Sequence, residues 1–181
     1  MISDTHFLHT NIIKYTNRPA NFNELIFKNW NNLVSDDDLI IHCGDFSAGV
    51  GKVKDGFKKL EKITLNLKGH KILIKGNHDY FPKQIYEDWG FEVCDYFIFD
   101  KFIFCHYPLI ITEYMDTLTK NFIKKIKQIK EKNNIPFVIH GHKHSKNYPN
   151  YPNHYNVCVE KIGYKPILLS EIKKKLEGKD K

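Results

Sequence analysis

The sequence is almost without arginine, so its positive charge comes from lysine. Arg18 is the only arginine in 181 residues, although the formal net charge is +7. Arginine, unlike lysine, makes bidentate contacts with phosphate and guanine, so the chain has one candidate for such recognition. The lysines are scattered along the chain. We therefore interpret them as solvated surface or compositional bias in preference to a nucleic-acid footprint.

Paired cysteines and long apolar runs are also absent. The four cysteines form no C-x-x-C pair, which argues against a zinc ribbon and against a dithiol redox motif. No apolar run approaches the roughly 20 residues of a membrane span. The first residues also lack the regions of a signal peptide. We therefore expect buried free thiols, a cytoplasmic location and no membrane partner.

Short apolar runs alternate with helical patterns along the whole chain, without an internal repeat or a linker. We predict a single domain spanning residues 1–181. Helices are predicted at residues 22–33, 57–63, 82–90, 117–132 and 171–176. Strands are predicted at 39–41, 71–74, 136–139, 156–160 and 166–169, with 91–99 and 101–106 as a hairpin. Residues 1–3 leave little room for a first strand, so we expect a short edge there or a natural start further upstream.

Polar clusters follow the predicted strands. The alternation of strand and helix favours an α/β sandwich with at least partly parallel sheets, in which chemistry gathers beyond the carboxyl ends of the strands. The five clusters are Asp4-Thr5-His6, Gly44-Asp45, Gly76-Asn77-His78-Asp79, Cys105-His106 and Gly141-His142-Lys143-His144.

These clusters offer carboxylate, amide and imidazole groups suited to metal ions. Such mixed oxygen and nitrogen donors suit Mn, Fe, Zn or Ni better than calcium. A lone His106 would more often be a core residue, and Asp45 alone would more often cap a helix. Together, seven donors exceed the needs of one tetrahedral ion and predict a pair of metals bridged by a carboxylate. The candidate ligands are Asp4, His6, Asp45, Asn77, His106, His142 and His144.

In this order, the clusters resemble the five motifs of the calcineurin-like metallophosphoesterases, over residues 4–144. The chain is most similar to the small single-domain bacterial and phage members, in which a second histidine and Asn-Ile-Ile follow the first motif, as at residues 9–13. The resemblance implies a four-layer α-β-β-α sandwich with two mixed β-sheets. It also implies a dinuclear hydrolase that uses two divalent metal ions, with Mn favoured and Fe, Zn, Ni or Mg as alternatives.

The resemblance also implies roles for individual residues. Asp4, His6 and His144 would hold one metal, and Asn77, His106 and His142 would hold the other, with Asp45 bridging the two. A metal-bridging hydroxide would attack phosphorus, and Asn77 would also touch the phosphate. His78 would stabilise the transition state or protonate the leaving oxygen.

Ala48 is the main departure from the family pattern. Many members have an aspartate at this position, and that aspartate orients the catalytic histidine. Here we expect Asp79 to take over that role, or His78 to depend less on acid catalysis. His9 and Arg18 are candidate substrate-binding residues, although a structural role stays open for both. We expect His140 to hold a metal ligand in position without binding the metal itself.

The predicted function is hydrolysis of phosphate esters. A phosphodiester of a small or nucleotide-like substrate is favoured over a monoester, and a single-strand nuclease comes third. The alternative from another class is a catalytically weak or inactive metal-binding scaffold on the same fold. A nucleic-acid partner is therefore not favoured, and the sequence does not predict an oligomeric state.

Overall fold

Two β-sheets with flanking helices form the protein, seen here in a computed structural model that describes residues 1–144 and 151–178. The helices are α1 (Ile12–Thr16), α2 (Phe22–Leu33), α3 (Gly56–Leu65), α4 (Lys83–Asp88), α5 (Thr117–Lys132) and α6 (Leu169–Leu176). The strands are β1 (Leu39–His42), β2 (His70–Ile74), β3 (Phe91–Cys94), β4 (Tyr96–Phe99), β5 (Phe102–Cys105), β6 (Phe137–His140) and β7 (His154–Asn156).

The first sheet has the order β1-β2-β3, and both of its strand pairs are parallel. Ile41 pairs with Ile72, and Leu73 pairs with Val93. Parallel strands are typically covered on both faces, which explains why β1 and β2 consist largely of consecutive apolar residues. The carboxyl ends of the three strands therefore meet at one edge of the sheet.

The second sheet has the order β4-β5-β6-β7 and is mixed. β4 and β5 form an antiparallel hairpin, whereas β6 pairs in parallel with both β5 and β7. Along β5, Phe102 and Phe104 belong to the larger apolar core, which also includes residues of the first sheet. Ile103 and Cys105 belong to a second core, together with Ile123 and Ile126 of α5. Successive side chains of a strand point to opposite faces, so this sheet is buried on both sides.

Helix α5 agrees with the predicted bounds, residues 117–132. Its first turn is capped by Asp116, whose side chain accepts a hydrogen bond of 2.9 Å from the Thr119 amide. Such a cap satisfies one of the amide donors that a helix leaves free at its start. The buried Ile123 and Ile126 then cover the second sheet, while the lysines lie on the other faces.

Residues 1–3 do not form the edge that the sequence suggested. Ile2 bridges in parallel to His42 beside the first sheet, and Ser3 bridges in parallel to Cys158. The amide of Cys43 donates to the Ile2 carbonyl at 2.9 Å, and the amide of Val159 donates to the Ser3 carbonyl at 3.1 Å. This short segment therefore lies between two other segments and is hydrogen-bonded on both sides.

Three predicted strands needed correction. The run 91–99 is broken at Asp95, because β3 pairs with the first sheet and β4 pairs with the second. The predicted strand 156–160 overlaps the observed strand β7 (His154–Asn156) at Asn156 only. Residues 166–168 do not form a strand. Pro166 has no backbone N–H to donate, and the Ile167 amide donates to the Met1 carbonyl.

Within the described ranges, no helix combines the length and the apolar character needed to cross a membrane. The four cysteines are free thiols; Cys43, Cys105 and Cys158 are buried, and Cys94 is partly exposed.

Candidate metal centre

Two groups of ligand atoms lie where the polar clusters meet. The first ligand group consists of Asp4, His6 and His144, and the second consists of Asp45, His106 and His142. Within each group, one ligand atom per residue lies within 4.8 Å of the others. The structure therefore brings together six of the seven predicted ligands. The seventh, Asn77, lies at the rim of the second group, with its Oδ1 3.0 Å from His106 Nε2.

Asp45 lies between the two groups. Its Oδ2 is 3.5 Å from His6 Nε2 and 3.6 Å from His106 Nε2. Its other oxygen, Oδ1, accepts a hydrogen bond of 2.8 Å from the His78 amide. One carboxylate oxygen therefore faces histidines of both groups, which is the arrangement that a bridging ligand requires.

The backbone is unusual at most of these ligands. Positive φ angles occur at Asp4 (55°), His6 (48°), Asp45 (57°), His142 (68°) and His144 (41°). Non-glycine residues seldom adopt this region, and such strain concentrates at functional sites. Close packing adds a second restriction. A Cβ added to Gly76 would collide with the Asp45 side chain, and one added to Gly141 would collide with Ser3 and Asp4.

The carboxylate of Asp4 is held in place by hydrogen bonds from three neighbouring groups. Its Oδ2 accepts hydrogen bonds from Ser3 Oγ at 2.5 Å, Cys158 Sγ at 3.1 Å and the His142 amide at 2.9 Å. Its Oδ1 lies 3.5 Å from His144 Nε2. Burial raises the pKa of Asp4, but the neighbouring imidazoles outweigh it, and the pKa stays below its usual range. The carboxylate therefore presents one charged oxygen to the first ligand group.

Arg18 does not line a substrate site, which corrects the prediction made for it. Its buried guanidinium donates to the backbone carbonyls of Thr5 at 2.8 Å and Asp4 at 2.6 Å. It also donates to Glu160 Oε1, from Nε at 2.9 Å and from Nη2 at 2.7 Å. With its donors directed at protein atoms, Arg18 holds the first motif in place.

Glu160 links Arg18 to a candidate ligand. The same Oε1 lies 3.0 Å from His144 Nδ1. Since a carboxylate only accepts, Nδ1 carries the proton, and Nε2 is left with its lone pair facing Asp4. Burial lowers the pKa of His144, but the Glu160 hydrogen bond and the Asp4 charge outweigh it, and the pKa is raised. A residue that the sequence did not single out thus orients a predicted ligand.

The ligand histidines suit a metal, and His6 is the clearest case. Both of its ring nitrogens are buried without a hydrogen-bond partner, and burial lowers its pKa well below the usual range. A buried, neutral imidazole with a free lone pair is costly unless it binds a cation. Burial also raises the pKa of Asp45 to about 7, which a nearby cation would offset. The donor set therefore fits divalent metal ions.

The second ligand group is held by backbone and by its own members. His106 Nδ1 donates to the Cys43 carbonyl at 2.9 Å, so Nε2 is the free nitrogen. His142 Nδ1 lies 3.2 Å from that Nε2. Burial lowers the pKa of His142 to about 3, which leaves a neutral imidazole. The pair therefore offers nitrogens suited to a metal.

Residues 1–158 match the family model of the calcineurin-like phosphoesterase superfamily domain. The chain belongs to this superfamily. It is 36% identical over 187 aligned residues to the uncharacterized protein MJ1445 of Methanocaldococcus jannaschii, covering 98% of this chain and 90% of the relative. The crystal structure of the protein of unknown function AQ665 from Aquifex aeolicus is also similar, with 29% identity, a TM-score of 0.76 and 96% of each chain covered. The predicted family and its sandwich of two sheets with flanking helices are thus confirmed.

Asp79 does not take the place of the aspartate that many calcineurin-like phosphoesterases carry at the position of Ala48. Its buried carboxylate accepts hydrogen bonds from the amides of Asp45 at 2.8 Å, Phe46 at 2.9 Å and Gly76 at 2.8 Å. It therefore joins the second and third motifs, and the expectation that it orients the ring of His78 is wrong.

His78 has a different partner. Its Nδ1 lies 3.2 Å from the hydroxyl of Tyr80, and its ring centroid is 5.2 Å from that of His6. Burial and then the charge of His106 lower the pKa of His78. A half-buried, neutral imidazole therefore faces the first ligand group, with a tyrosine hydroxyl on its outer side.

His9 and His140 lie on either side of the ligands. The His9 ring centroid is 5.4 Å from that of His6, and its Nδ1 has no hydrogen-bond partner. His140 is buried, its Nδ1 lies 2.8 Å from the Gly141 carbonyl, and burial lowers its pKa to about 4. His9 therefore remains a candidate for substrate contact, whereas His140 supports the backbone of the last motif.

His42, which is buried behind the first motif, was not predicted from the sequence. The Gly44 amide donates to its Nδ1 at 3.2 Å, so Nε2 carries the proton and donates to Thr5 Oγ1 at 3.0 Å. Burial lowers the pKa of His42 to about 3. The available signal was its position at the end of β1, directly before Cys43 and the second motif.

Proposed function

We propose that this protein hydrolyses phosphate esters with two divalent metal ions, favouring a phosphodiester of a small or nucleotide-like alcohol over a monoester. The observation that carries the proposal is Asp45, whose Oδ2 lies 3.5 and 3.6 Å from histidines of two separate ligand groups. Manganese is the favoured metal, with Fe, Zn, Ni and Mg as alternatives.

The first ligand group would hold one ion, and the second, with Asn77, would hold the other. When bound, two such ions would supply a hydroxide nucleophile at neutral pH and would neutralise charge on the phosphoryl oxygens. The protein fixes the ligand atoms: Glu160 sets the tautomer of His144, and the Cys43 carbonyl sets that of His106. Preorganised ligands of this kind avoid a reorganisation cost during the reaction.

His78 and Asn77 are proposed to act on the substrate itself. The His78 amide donates to Asp45 Oδ1 at 2.8 Å, and its ring lies beside that of His6, so the imidazole is held next to both ligand groups. In its protonated form, an imidazole at this position can donate a proton to the leaving oxygen, which leaves the ring neutral. The Asn77 amide group can donate to a phosphoryl oxygen from the rim of the second group.

A matrix of metals and substrates tests this proposal. Protein loaded with Mn, Fe, Zn, Ni or Mg is assayed with a phosphodiester, a monoester, a cyclic nucleotide and single-stranded nucleic acid. We expect diester hydrolysis to be fastest with Mn, and to fall at least about a hundredfold in His78→Ala, in line with the loss of a general acid. His70→Ala is the matched control, because His70 is an exposed histidine at the start of β2.

Other outcomes would replace the proposal. Metal binding without hydrolysis of any substrate would favour the scaffold alternative. Activity confined to single-stranded nucleic acid would favour a nuclease. Equal rates for wild type and His78→Ala would remove His78 from the chemistry while leaving the metal centre in place.

A further inference from the structure

A cavity of about 470 Å³ is lined in part by His78. Two segments form its walls, residues 8–11 after the first motif and residues 47–52 after the second, with Tyr80 and Phe81 next to His78. Its volume is within the range of small-molecule sites, roughly 300–1,000 Å³. No role for this cavity follows from the metal ligands alone.

The described residues that line the cavity include basic side chains but no acidic ones. Among the described residues that line the cavity, none is Asp or Glu, while Lys52, His9 and His78 supply the cationic or potentially cationic groups. Ala48 is part of this wall, where a carboxylate would have given the cavity a negative group. The rest of the lining includes the apolar side chains of Leu8, Val50 and Phe81.

Three aromatic rings of the lining, those of His9, His78 and Tyr80, lie close to one another. The ring centroid of His9 is 6.4 Å from that of His78, and the centroid of His78 is 5.8 Å from that of Tyr80. The Nδ1 of His9 is buried without a hydrogen-bond partner. Flat faces, apolar walls and one free polar atom suit a ring that carries hydrogen-bonding groups.

We propose that this cavity binds the alcohol portion of the phosphate ester, and that this alcohol is neutral and ring-bearing, of nucleoside size. The inference rests on the proposed function, because it assumes that the phosphate lies at the two ligand groups and that the ester oxygen faces His78. A cationic alcohol such as choline fits less well, because the described lining contains Lys52 and no carboxylate to balance a positive charge.

Binding of the alcohol alone tests the inference without requiring turnover. Adenosine, thymidine and choline are titrated into the protein, with and without Mn, by calorimetry. We expect the two nucleosides to bind at least tenfold more tightly than choline. Adenosine should also inhibit diester hydrolysis competitively, since it occupies the position of the leaving alcohol.

Two variants each add a phenyl ring to one of the two lining segments, Gly51→Phe and Thr10→Phe. A Cβ added to Gly51 meets no atom within 4 Å, and its φ lies outside the left-handed region, so the substitution is sterically tolerated. Each variant should weaken adenosine binding about tenfold and leave Mn binding unchanged. Lys58→Phe, on the exposed part of α3, is the matched control and should bind adenosine like the wild type.

Equal binding of choline and adenosine would overturn the inference, and so would unchanged adenosine binding in whichever filled variant is folded. If hydrolysis persists while nucleosides do not bind, this inference fails and the proposed function stands. If nucleosides bind and no ester is hydrolysed with any metal, the proposed function fails. The two results are therefore separable.

Discussion

The two ligand groups are built from similar side chains but are held in different ways. In the first, Asp4 and His144 are supported by charged and polar side chains, namely Arg18, Glu160, Ser3 and Cys158. In the second, His106 is fixed by a backbone carbonyl, and His142 contacts His106 directly. Asp79 then ties the loop of Asp45 to the loop of Asn77 through backbone amides.

The difference indicates which kinds of substitution should disrupt each ligand group. A buried ion pair supports the first group, so the loss of one charge behind it leaves the partner charge unpaired in the interior. Backbone contacts support the second group, so its geometry depends more on the loops than on any one supporting side chain. Substitutions that separate these two dependences test the comparison directly.

Replacing the residue shared by both groups should have the largest effect. Asp45→Asn keeps the size of the side chain but removes the charge that faces His6 and His106. We expect kcat to fall roughly a thousandfold, comparable to the loss of an electrostatic partner of the transition state. Metal titration should show weaker binding at both groups. Asp37→Asn, at an exposed carboxylate, should behave like the wild type, and a variant weakened at one group only would show that Asp45 does not bridge.

The first group alone should respond to Glu160→Gln. The substitution removes the partner of buried Arg18, which we expect to cost about 3–5 kcal/mol of unfolding free energy in urea. It also replaces the charged acceptor that fixes the His144 tautomer with a neutral amide, so one metal should bind about 10- to 100-fold more weakly.

The second metal should bind Glu160→Gln with unchanged affinity. Glu131→Gln, at the exposed end of α5, controls for loss of a negative charge. Equal weakening of both metals would contradict the separate support of the two groups.

Acid should destabilise the metal-free protein through its buried neutral histidines, and His42 isolates one of them. The pKa of His42 is lowered from 6.5 to about 3 by burial, so below pH 6.5 the unfolded chain binds a proton that the folded protein does not. Stability should therefore fall with decreasing pH, by about 1.4 kcal/mol per pH unit for each such histidine. Urea unfolding at several pH values measures this slope.

His42→Gln should reduce the acid slope by about one proton while lowering stability at pH 7.5, since glutamine can only partly replace the hydrogen bonds to Thr5 and Gly44. An unchanged slope would mean that His42 is not the neutral, buried group that the geometry indicates.

The smallest effect should come from Tyr80→Phe, outside both groups. Tyr80 is 75% exposed, and its hydroxyl is 3.2 Å from His78 Nδ1. The loss of a solvent-accessible hydrogen bond, about 0.5–1.5 kcal/mol, should lower kcat roughly three- to tenfold and shift the pH profile of kcat. Metal binding should not change. Tyr114→Phe, at a side chain that is 91% exposed, should leave the pH profile where it is.

The candidate ligands from Asp45 onward were accessible from the sequence because each lies within four residues of a strand end, and strand ends are local features. Six of the seven candidate ligands meet in two groups with ligand atoms within 4.8 Å, in line with the grouping that the family resemblance implied. Strand 91–99 was predicted less well, because periodicity does not reveal that the chain changes sheets at Asp95.

Residues behind the ligands could not be predicted from the sequence. Arg18 and Glu160 are 142 positions apart, and neither belongs to a motif, so only the fold brings them together. Arg18 was a candidate for substrate binding, with a structural role left open; its burial among carbonyls and a carboxylate favours the structural role. Tyr80 was not predicted, because no local pattern indicates that its hydroxyl meets the ring of His78.

The pairing of residues 1–3 constrains the order in which the chain can fold during translation. Ser3 receives the Val159 amide, and Met1 receives the Ile167 amide, both from segments translated near the end of the chain. The parallel sheet of residues 39–94 can form while translation continues, but the segment that carries Asp4 gains its second neighbour only after residue 159 has emerged. Closing so long a loop is entropically costly and slow. The nascent chain therefore acquires its first ligand group last.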